Sequence, residues 1–254
     1  MSIKNDYELE GMKKISALVA HTLKQMCAIA KPGMDTKTLD NFGGNILKKH
    51  GARSAPALAY NFPGFTCISI NEEIAHGIPS KNKILKEGDL VNIDVSAELD
   101  GYWADNGASF VLGEDIHGYN TLVNASRSIL KKAIYQIRSG ERISLIGKTI
   151  ESEAKKMGFK VIKNLAGHGV GKSLHEAPEE ILNCYDRFNR RRFKKSSTVA
   201  IETFIATKST IAHKEADGWT LKGNRGGFVA QHEHTIMVTD TKPIILTAGN
   251  GVWD

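Results

Sequence analysis

Val91-Asn92-Ile93-Asp94-Val95-Ser96-Ala97-Glu98-Leu99-Asp100-Gly101-Tyr102-Trp103-Ala104-Asp105 alternates apolar and polar residues, meets an Asp-Gly pair, and starts again. Side chains alternate across a strand, so Val91, Ile93 and Val95 face a core and Asp94 faces the other way. Asp100-Gly101 is a strong signal for a two-residue hairpin, because the favoured turn needs positive φ at both central positions. A turn there sets the register: Leu99 opposite Tyr102, Ser96 opposite Asp105, Asp94 opposite Gly107. Asp94 and Asp105 then share a face as diagonal neighbours. Two carboxylates so close repel unless a cation or a proton intervenes. From the hairpin alone, a water-exposed sheet face bearing two unrelated acids fits equally well.

Two further acids sharpen the picture. Glu202 lies in Thr198-Val199-Ala200-Ile201-Glu202-Thr203-Phe204-Ile205, flanked by apolar residues, and Glu233 lies in Phe228-Val229-Ala230-Gln231-His232-Glu233-His234-Thr235-Ile236. A buried carboxylate needs a cation, a donor or a proton. Four carboxylates carry the charge that two divalent cations balance, and oxygen ligands with an imidazole or two suit Mn, Fe, Co or Zn. Gly167-His168-Gly169-Val170-Gly171 offers the nitrogen, with glycines that admit close backbone on both sides, and His175 follows seven residues on. His21, His50, His117 and His213 have no such setting and read as structural. The sequence lacks a Walker A loop, a His-Glu-x-x-His helix and a Gly-x-Ser-x-Gly elbow, which leaves those chemistries unsupported.

Around these acids the order helix-helix-strands occurs twice. A helix is expected from about Tyr7 to Ala30, and a second, capped by Asp35 or Thr36, runs to about Lys49 before Gly51. From about Tyr119 the pattern repeats to Ile137, with Ser144 as the expected cap of a fourth helix that ends at Gly158. Gly33, Lys48, Lys49 and Gly51 match Gly140, Lys155, Lys156 and Gly158 at a constant offset of 107, and Val91-Asp94 matches Val199-Glu202 at 108. The repeat predicts two related halves, about 7–113 and 114–250, meeting across a pseudo-twofold axis within one catalytic domain, 1–254.

Composition sets outer limits. Across 254 residues, 41% hydrophobic and 24% charged with only 6 Pro, the chain is an ordinary globular one and neither disordered nor low-complexity. No apolar stretch approaches the length of a membrane span. Cys27, Cys67 and Cys184 are too few and too scattered for a disulfide framework. The polar opening Met1–Glu8 is unlike a signal or transit peptide, so a cytoplasmic location is expected. The net charge of +6 resides in Arg187-Phe188-Asn189-Arg190-Arg191-Arg192-Phe193-Lys194-Lys195, which reads either as a solvated loop or as a patch for an anionic polymer such as RNA.

The ordered set Asp94, Asp105, His168, Glu202 and Glu233 resembles the five-ligand site of the type I methionine aminopeptidases. Cys67-Ile68-Ser69-Ile70-Asn71-Glu72-Glu73-Ile74-Ala75-His76-Gly77-Ile78-Pro79 and Gly88-Asp89-Leu90-Val91-Asn92-Ile93-Asp94-Val95 are similar to that family as well. The resemblance implies the α/β (α+β) pita-bread fold, two pseudo-symmetric helix-helix-strand halves around a central antiparallel sheet. It implies a hydrolase that removes the initiator methionine from nascent chains through a hydroxide bridging two divalent ions. Glu202 would also move the proton, and His76 and His175 would contact the substrate amides. Phe62, Cys67, Leu174 and Trp219 match the positions that line the methionine slot. This sequence departs from the family at Thr203, usually proline, at Asn106, commonly threonine, at Lys195-Ser196-Ser197, and at Leu174. Alternatives on the same fold are a prolidase or Xaa-Pro aminopeptidase, and a non-catalytic RNA- or ribosome-binding member.

Overall fold

In the computed structural model, which describes residues 1–253, the first half of the chain forms α1 (Asp6–Ile29), α2 (Thr36–Lys49), β1 (Arg53–Ser54), α3 (Ala55–Tyr60), β2 (Cys67–Ile70), β3 (Glu73–Ala75), β4 (Leu90–Leu99) and β5 (Tyr102–Val111). The second forms α4 (Asn120–Ile134), α5 (Ile143–Lys156), β6 (Lys160–Val161), β7 (Ala166–Gly169), β8 (Glu176–Leu182), β9 (Thr198–Ala206), β10 (Ala212–Lys214), β11 (Leu221–Gly223), β12 (Val229–Met237) and β13 (Ile244–Ile245). The hairpin register is the expected one: Leu99 faces Tyr102, Ser96 faces Asp105 and Asp94 faces Gly107. Asp100 and Gly101 carry the positive φ values, 52° and 79°, that the turn requires.

The main sheet runs β1-β4-β5-β12-β9-β7-β8, with β2 on β4, β6 on β9 and β13 on β12. Its centre is antiparallel and carries the duplication in its pairings. β1 meets the end of β4 through Arg53–Glu98 and Ser54–Ala97, and β6 meets the end of β9 through Lys160–Ala206 and Val161–Ile205. These are the equivalent residues at the offsets read from the sequence. The two inner strands, β5 and β12, lie side by side between them. The architecture is the pita-bread arrangement of two related halves about a common antiparallel sheet.

Helices cover one face of each half. Met12, Ile15, Val19, Leu23 and Met26 of α1 pack with Val91, Ile93, Val95 and Ala97 of β4. Ile129, Leu130, Ala133 and Ile134 of α4 and Ile146 and Ile150 of α5 pack with Val199, Ile201 and Ile205 of β9. Burying each apolar side chain of this size contributes about 1.5–3 kcal/mol, which fixes which face of each strand turns to the helices. The opposite face, with Asp94, Asp105, Glu202 and Glu233, faces away from them. It is not the open sheet face that the hairpin alone allowed, because every residue of β9 and β12 is buried.

One helix cap differs from expectation. α5 begins at Ile143 with Arg142 in the cap position and no side-chain cap bond, and Ser144 lies buried inside the first turn. The free donor at the helix start is met by the chain instead: Ile143 N–H donates to Arg191 O, and Arg142 bridges Arg192. A neighbouring backbone carbonyl replaced the serine hydroxyl. Asp35 caps α2 as expected, accepting from Thr38 N–H at 2.8 Å.

The basic segment is partly tied down. Arg191 pairs with Glu179 at 2.7 Å, Lys195 with Asp240, and Arg192 donates to the Gly140 carbonyl. Phe193 is buried in the core of the second half, while Phe188 remains exposed beneath the Arg187 guanidinium. Among the described residues, no helix is long and apolar enough to cross a membrane.

Candidate metal centre and active-site cavity

Six adjacent strands bring chemistry to the face opposite the helices. Cys67 on β2 pairs with Asp94 on β4. Asp105 on β5 is the diagonal neighbour of Asp94. On the other side of the pseudo-twofold axis, Glu233 of β12 and Glu202 of β9 are direct cross-strand partners. His168 of β7 stands opposite Ala200 of β9, which puts its ring on the same face as Glu202. The five residues expected as ligands therefore form a row drawn from both halves.

The glycines around His168 allow this approach. A Cβ at Gly167 would lie 2.4 Å from Ala200 O, and one at Gly169 would lie 2.4 Å from Ala177 O. Any larger residue would push β7 away from β9 or β8 and carry the imidazole with it.

Asp105, His168 and Glu233 place ligand atoms within 4.8 Å of one another, all three residues buried. Asp105 Oδ1 and Glu233 Oε1 are buried without a hydrogen-bond partner. Unsatisfied buried carboxylate oxygens cost several kcal/mol unless something positive meets them. His168 Nδ1 lies 3.0 Å from the Gly169 carbonyl, an obligate acceptor, so Nδ1 is protonated and Nε2 presents its lone pair. Nε2 is 3.8 Å from Asp105 Oδ2. Orphaned acid oxygens facing a neutral imidazole fit a divalent cation of the Mn, Fe, Co or Zn type.

The protonation states carry the same message. Burial holds Asp94 up at about 6, tempered by its hydrogen bond with Asp105. Burial, with the neighbouring carboxylates behind it, raises Asp105, Glu202 and Glu233 well above the usual carboxylate range. Burial pushes His168 down to about 3, which keeps it neutral and able to bind a cation. Burial favours the protonated form of these acids; a cation would favour the ionised form.

All the residues expected from the sequence line one cavity of about 280 Å³. Asp94, Asp105, His168, Glu202 and Glu233 form its floor. Phe62, Cys67, Leu174 and Trp219 supply apolar wall, with the rings of Phe62 and Trp219 edge to face at 5.2 Å. His76 and His175 stand exposed to the cavity mouth, His175 with its ring 4.0 Å from that of His168. His21, His50, His117 and His213 lie outside the cavity, as expected.

Three contributors escaped the sequence. Gln231 shares a face with Glu233, two residues away on β12, and its Nε2 donates to Glu233 Oε2 at 3.1 Å. Asn92 Nδ2 donates to Gln231 Oε1 at 2.8 Å and so fixes which way the amide points. Tyr60, at the end of α3, places its hydroxyl 2.6 Å from His175 Nδ1. The signal for α3 was present in Ser54-Ala55-Pro56, a cap residue followed by proline in the first turn.

The departures from the family pattern leave the floor intact. Thr203 keeps β9 paired with β12 over nine residues. Its hydroxyl turns to the helix side, 2.9 Å from Ser126 Oγ, which in turn meets His232 Nδ1 at 3.0 Å. Asn106 also faces away from the cavity and donates to Val95 O at 2.9 Å.

Duplicated fold, acid row and buried imidazole define a cation-dependent hydrolytic enzyme of the pita-bread class. The family model for metallopeptidase family M24 matches residues 10–240, and the chain belongs to that family. It is 50% identical to a methionine aminopeptidase 2 of Bacillus subtilis (strain 168), over 97% of this chain and 99% of that one. Among solved structures it superposes on a methionine aminopeptidase of Thermotoga maritima with a TM-score of 0.92 at 34% identity, covering 97% and 99% of the two chains. A prolidase of Pyrococcus furiosus shares the fold at a TM-score of 0.76 and 21% identity, but the match covers only 65% of the prolidase.

Proposed function

We propose that this enzyme is a methionyl aminopeptidase, a metal-dependent hydrolase that releases the N-terminal methionine of peptides and nascent proteins. The observation that carries this reading is the row of four acids and one neutral imidazole beneath a short apolar wall. It is supported by full-length similarity to methionine aminopeptidases and by the weaker, partial match to a prolidase. We assign Asp94, Asp105, His168, Glu202 and Glu233 to two divalent cations of the Mn, Fe, Co or Zn type. Bound there, such ions supply Lewis acidity, making water nucleophilic near neutral pH and polarising a carbonyl.

The chain's own residues do the rest. Phe62, Cys67, Leu174 and Trp219 form a slot that takes an unbranched thioether by packing alone. Glu202, besides its ligand role, carries the proton from the attacking water to the leaving amine. His175 donates to the carbonyl oxygen as negative charge develops there, and His76 holds the following amide. The free substrate amine needs a place beside the cations, which would restrict the enzyme to a single N-terminal residue. The setting that fits is the cytoplasm, where nascent chains emerge. The exposed portion of the 187–195 segment would meet ribosomal RNA, and replacing Arg190, Arg191 and Arg192 with Ser should then lower salt-sensitive co-sedimentation with ribosomes.

Purified protein given Mn, Co or Fe should release methionine from Met-Ala-Ser, and the Glu202→Gln variant should not. Cleavage of Xaa-Pro peptides with no release of methionine under any metal would overturn the reading in favour of a prolidase-like enzyme. Ribosome binding without hydrolysis of either peptide would favour a binding protein.

A further inference from the structure

His168 and His175 lie against each other, but their Nδ1 atoms meet partners of opposite kind. His168 Nδ1 faces the Gly169 carbonyl, which can only accept. His175 Nδ1 faces the Tyr60 hydroxyl at 2.6 Å. A phenolic oxygen is a poor acceptor, because its lone pair is delocalised into the ring, and a good donor. An unprotonated imidazole nitrogen is a good acceptor. The pairing O–H···N is therefore the favoured one, and it leaves the His175 proton on Nε2.

Tyr60 is well placed to enforce this. It is the last residue of α3, whose N-terminus is capped by Ser54 and whose end is turned by Asn61 in the left-handed conformation, φ 58°. Two residues on, Phe62 is buried against Trp219. The backbone on either side of the tyrosine is thus anchored, while its ring, 46% exposed, forms part of the cavity rim. The Tyr60 and His175 rings tilt at 48° with centroids 5.6 Å apart, so the contact is the hydrogen bond and not a stack.

We propose that Tyr60 is a positioning residue that locks His175 in the Nε2–H tautomer, making it a hydrogen-bond donor beside a histidine locked in the opposite tautomer. The consequence for catalysis rests on the aminopeptidase reading above. A donor is what a carbonyl oxygen gaining negative charge requires, and the other tautomer would offer it a lone pair. One pair of adjacent imidazoles thereby serves two jobs: His168 presents a lone pair to a cation, His175 a proton to the substrate.

The test compares wild type with Tyr60→Phe, which removes only the hydroxyl. Long-range 1H–15N spectra of the metal-free protein, labelled at histidine and assigned with His175→Gln, read the tautomer directly. Wild type should show His175 with a protonated Nε2 and an accepting Nδ1, and Tyr60→Phe should move both nitrogens toward the averaged shifts of a mixed population. In the metal-loaded enzyme, kcat on Met-Ala-Ser should fall about three- to tenfold in Tyr60→Phe, the worth of one hydrogen bond, with KM nearly unchanged. An Nδ1-protonated His175 in wild type, or a kcat loss in Tyr60→Phe without a tautomer change, would overturn the proposal. If wild type releases no methionine, the functional reading fails while the spectra still decide the role of Tyr60.

Discussion

Glu202 and Glu233 face each other directly across β9 and β12, each strand contributing its one acid at the same rung. Like charges at directly opposed positions destabilise a sheet, and here both residues are also buried. Such a rung persists in a fold only where a proton or a cation neutralises it. Replacing Glu202 with Gln should therefore raise the Tm of the metal-free protein by about 2–4 °C at pH 8, corresponding to roughly 1 kcal/mol in a chain of this size. The same variant should lose most of the Tm gain that Mn gives wild type. Calorimetry with and without metal measures both; a lower metal-free Tm would contradict the repulsion argument.

The stability of the metal-free protein should fall as pH rises from 7 to 9. Burial holds Asp94 up at about 6 in the folded chain, against 3.8 for the free side chain, and burial with the neighbouring carboxylates holds Asp105, Glu202 and Glu233 well above their ordinary range. Groups raised on folding contribute stability that is full below their unfolded values and is lost as pH climbs through their folded ones. His168, His232 and His234, held near 3 by burial, act in the opposite sense: their contribution is full above 6.5 and is lost as pH falls. Between about 4 and 6.5 the two sets oppose each other. Above 7 the imidazoles are neutral in both states and the carboxylates act alone. Saturating Mn should flatten the decline, and Glu202→Gln should make it shallower. A metal-free Tm that rises from pH 7 to 9 would refute the assignment.

Thr203 is the departure from the family pattern with the clearest structural consequence. With Ser126 and His232 it forms a fully buried hydrogen-bonded chain on the helix side of the strands that carry both glutamates. Thr203→Val should cost about 1–3 kcal/mol, because the Ser126 hydroxyl loses a partner in a site closed to water. Turnover per folded, metal-loaded molecule should change little, since the valine keeps the shape and the ladder. Urea denaturation and kcat on the same preparation separate the two effects.

How far the sequence discloses this molecule depends on whether the determining contact is local. Asp94 and Asp105 could be placed together because a two-residue turn between them dictates register. The duplication was legible because helix ends repeat their glycines and lysines. α3 was missed, since six residues are too few to show a period, and Tyr60 with it. Ser144 looked like a cap because the competing acceptor, Arg191 O, arrives from a distant segment. Gln231 gave no signal at all: in a strand buried on both faces, alternation no longer marks which residues turn toward a site. The small sheet β10-β11-β3, which pairs Leu221 with Ala75 beside Trp219 and His76, rests on contacts nearly 150 residues apart in the chain.

The apolar wall should set substrate choice by fit. Trp219 meets Phe62 edge to face, a contact worth about 0.5–1.5 kcal/mol beyond the area that it buries. Trp219→Ala should open the slot and cut kcat/KM on Met-Ala-Ser about tenfold or more, while an N-terminal residue bulkier than methionine should lose less or gain. Competition between the two peptides measures the ratio. An unchanged ratio would mean that Trp219 belongs to the wall of the cavity without bounding the slot.

Gln231 should act on the cations through Glu233. Its Oε1 is taken by Asn92, so its amide NH₂ is left to hold Glu233 Oε2, while Glu233 Oε1 stays free to meet a cation. Groups that orient a metal ligand commonly account for 10- to 100-fold in affinity. Gln231→Leu keeps the bulk and removes the donor, so isothermal titration with Mn should show a Kd higher by about that factor. Gln231→Glu adds a negative charge beside the ligands and removes the same donor; it should bind Mn at least as tightly as Gln231→Leu but lose turnover, because Glu233 is then repelled and not held. If both variants bind Mn as wild type does, the orientation of Glu233 comes from the β9–β12 ladder alone.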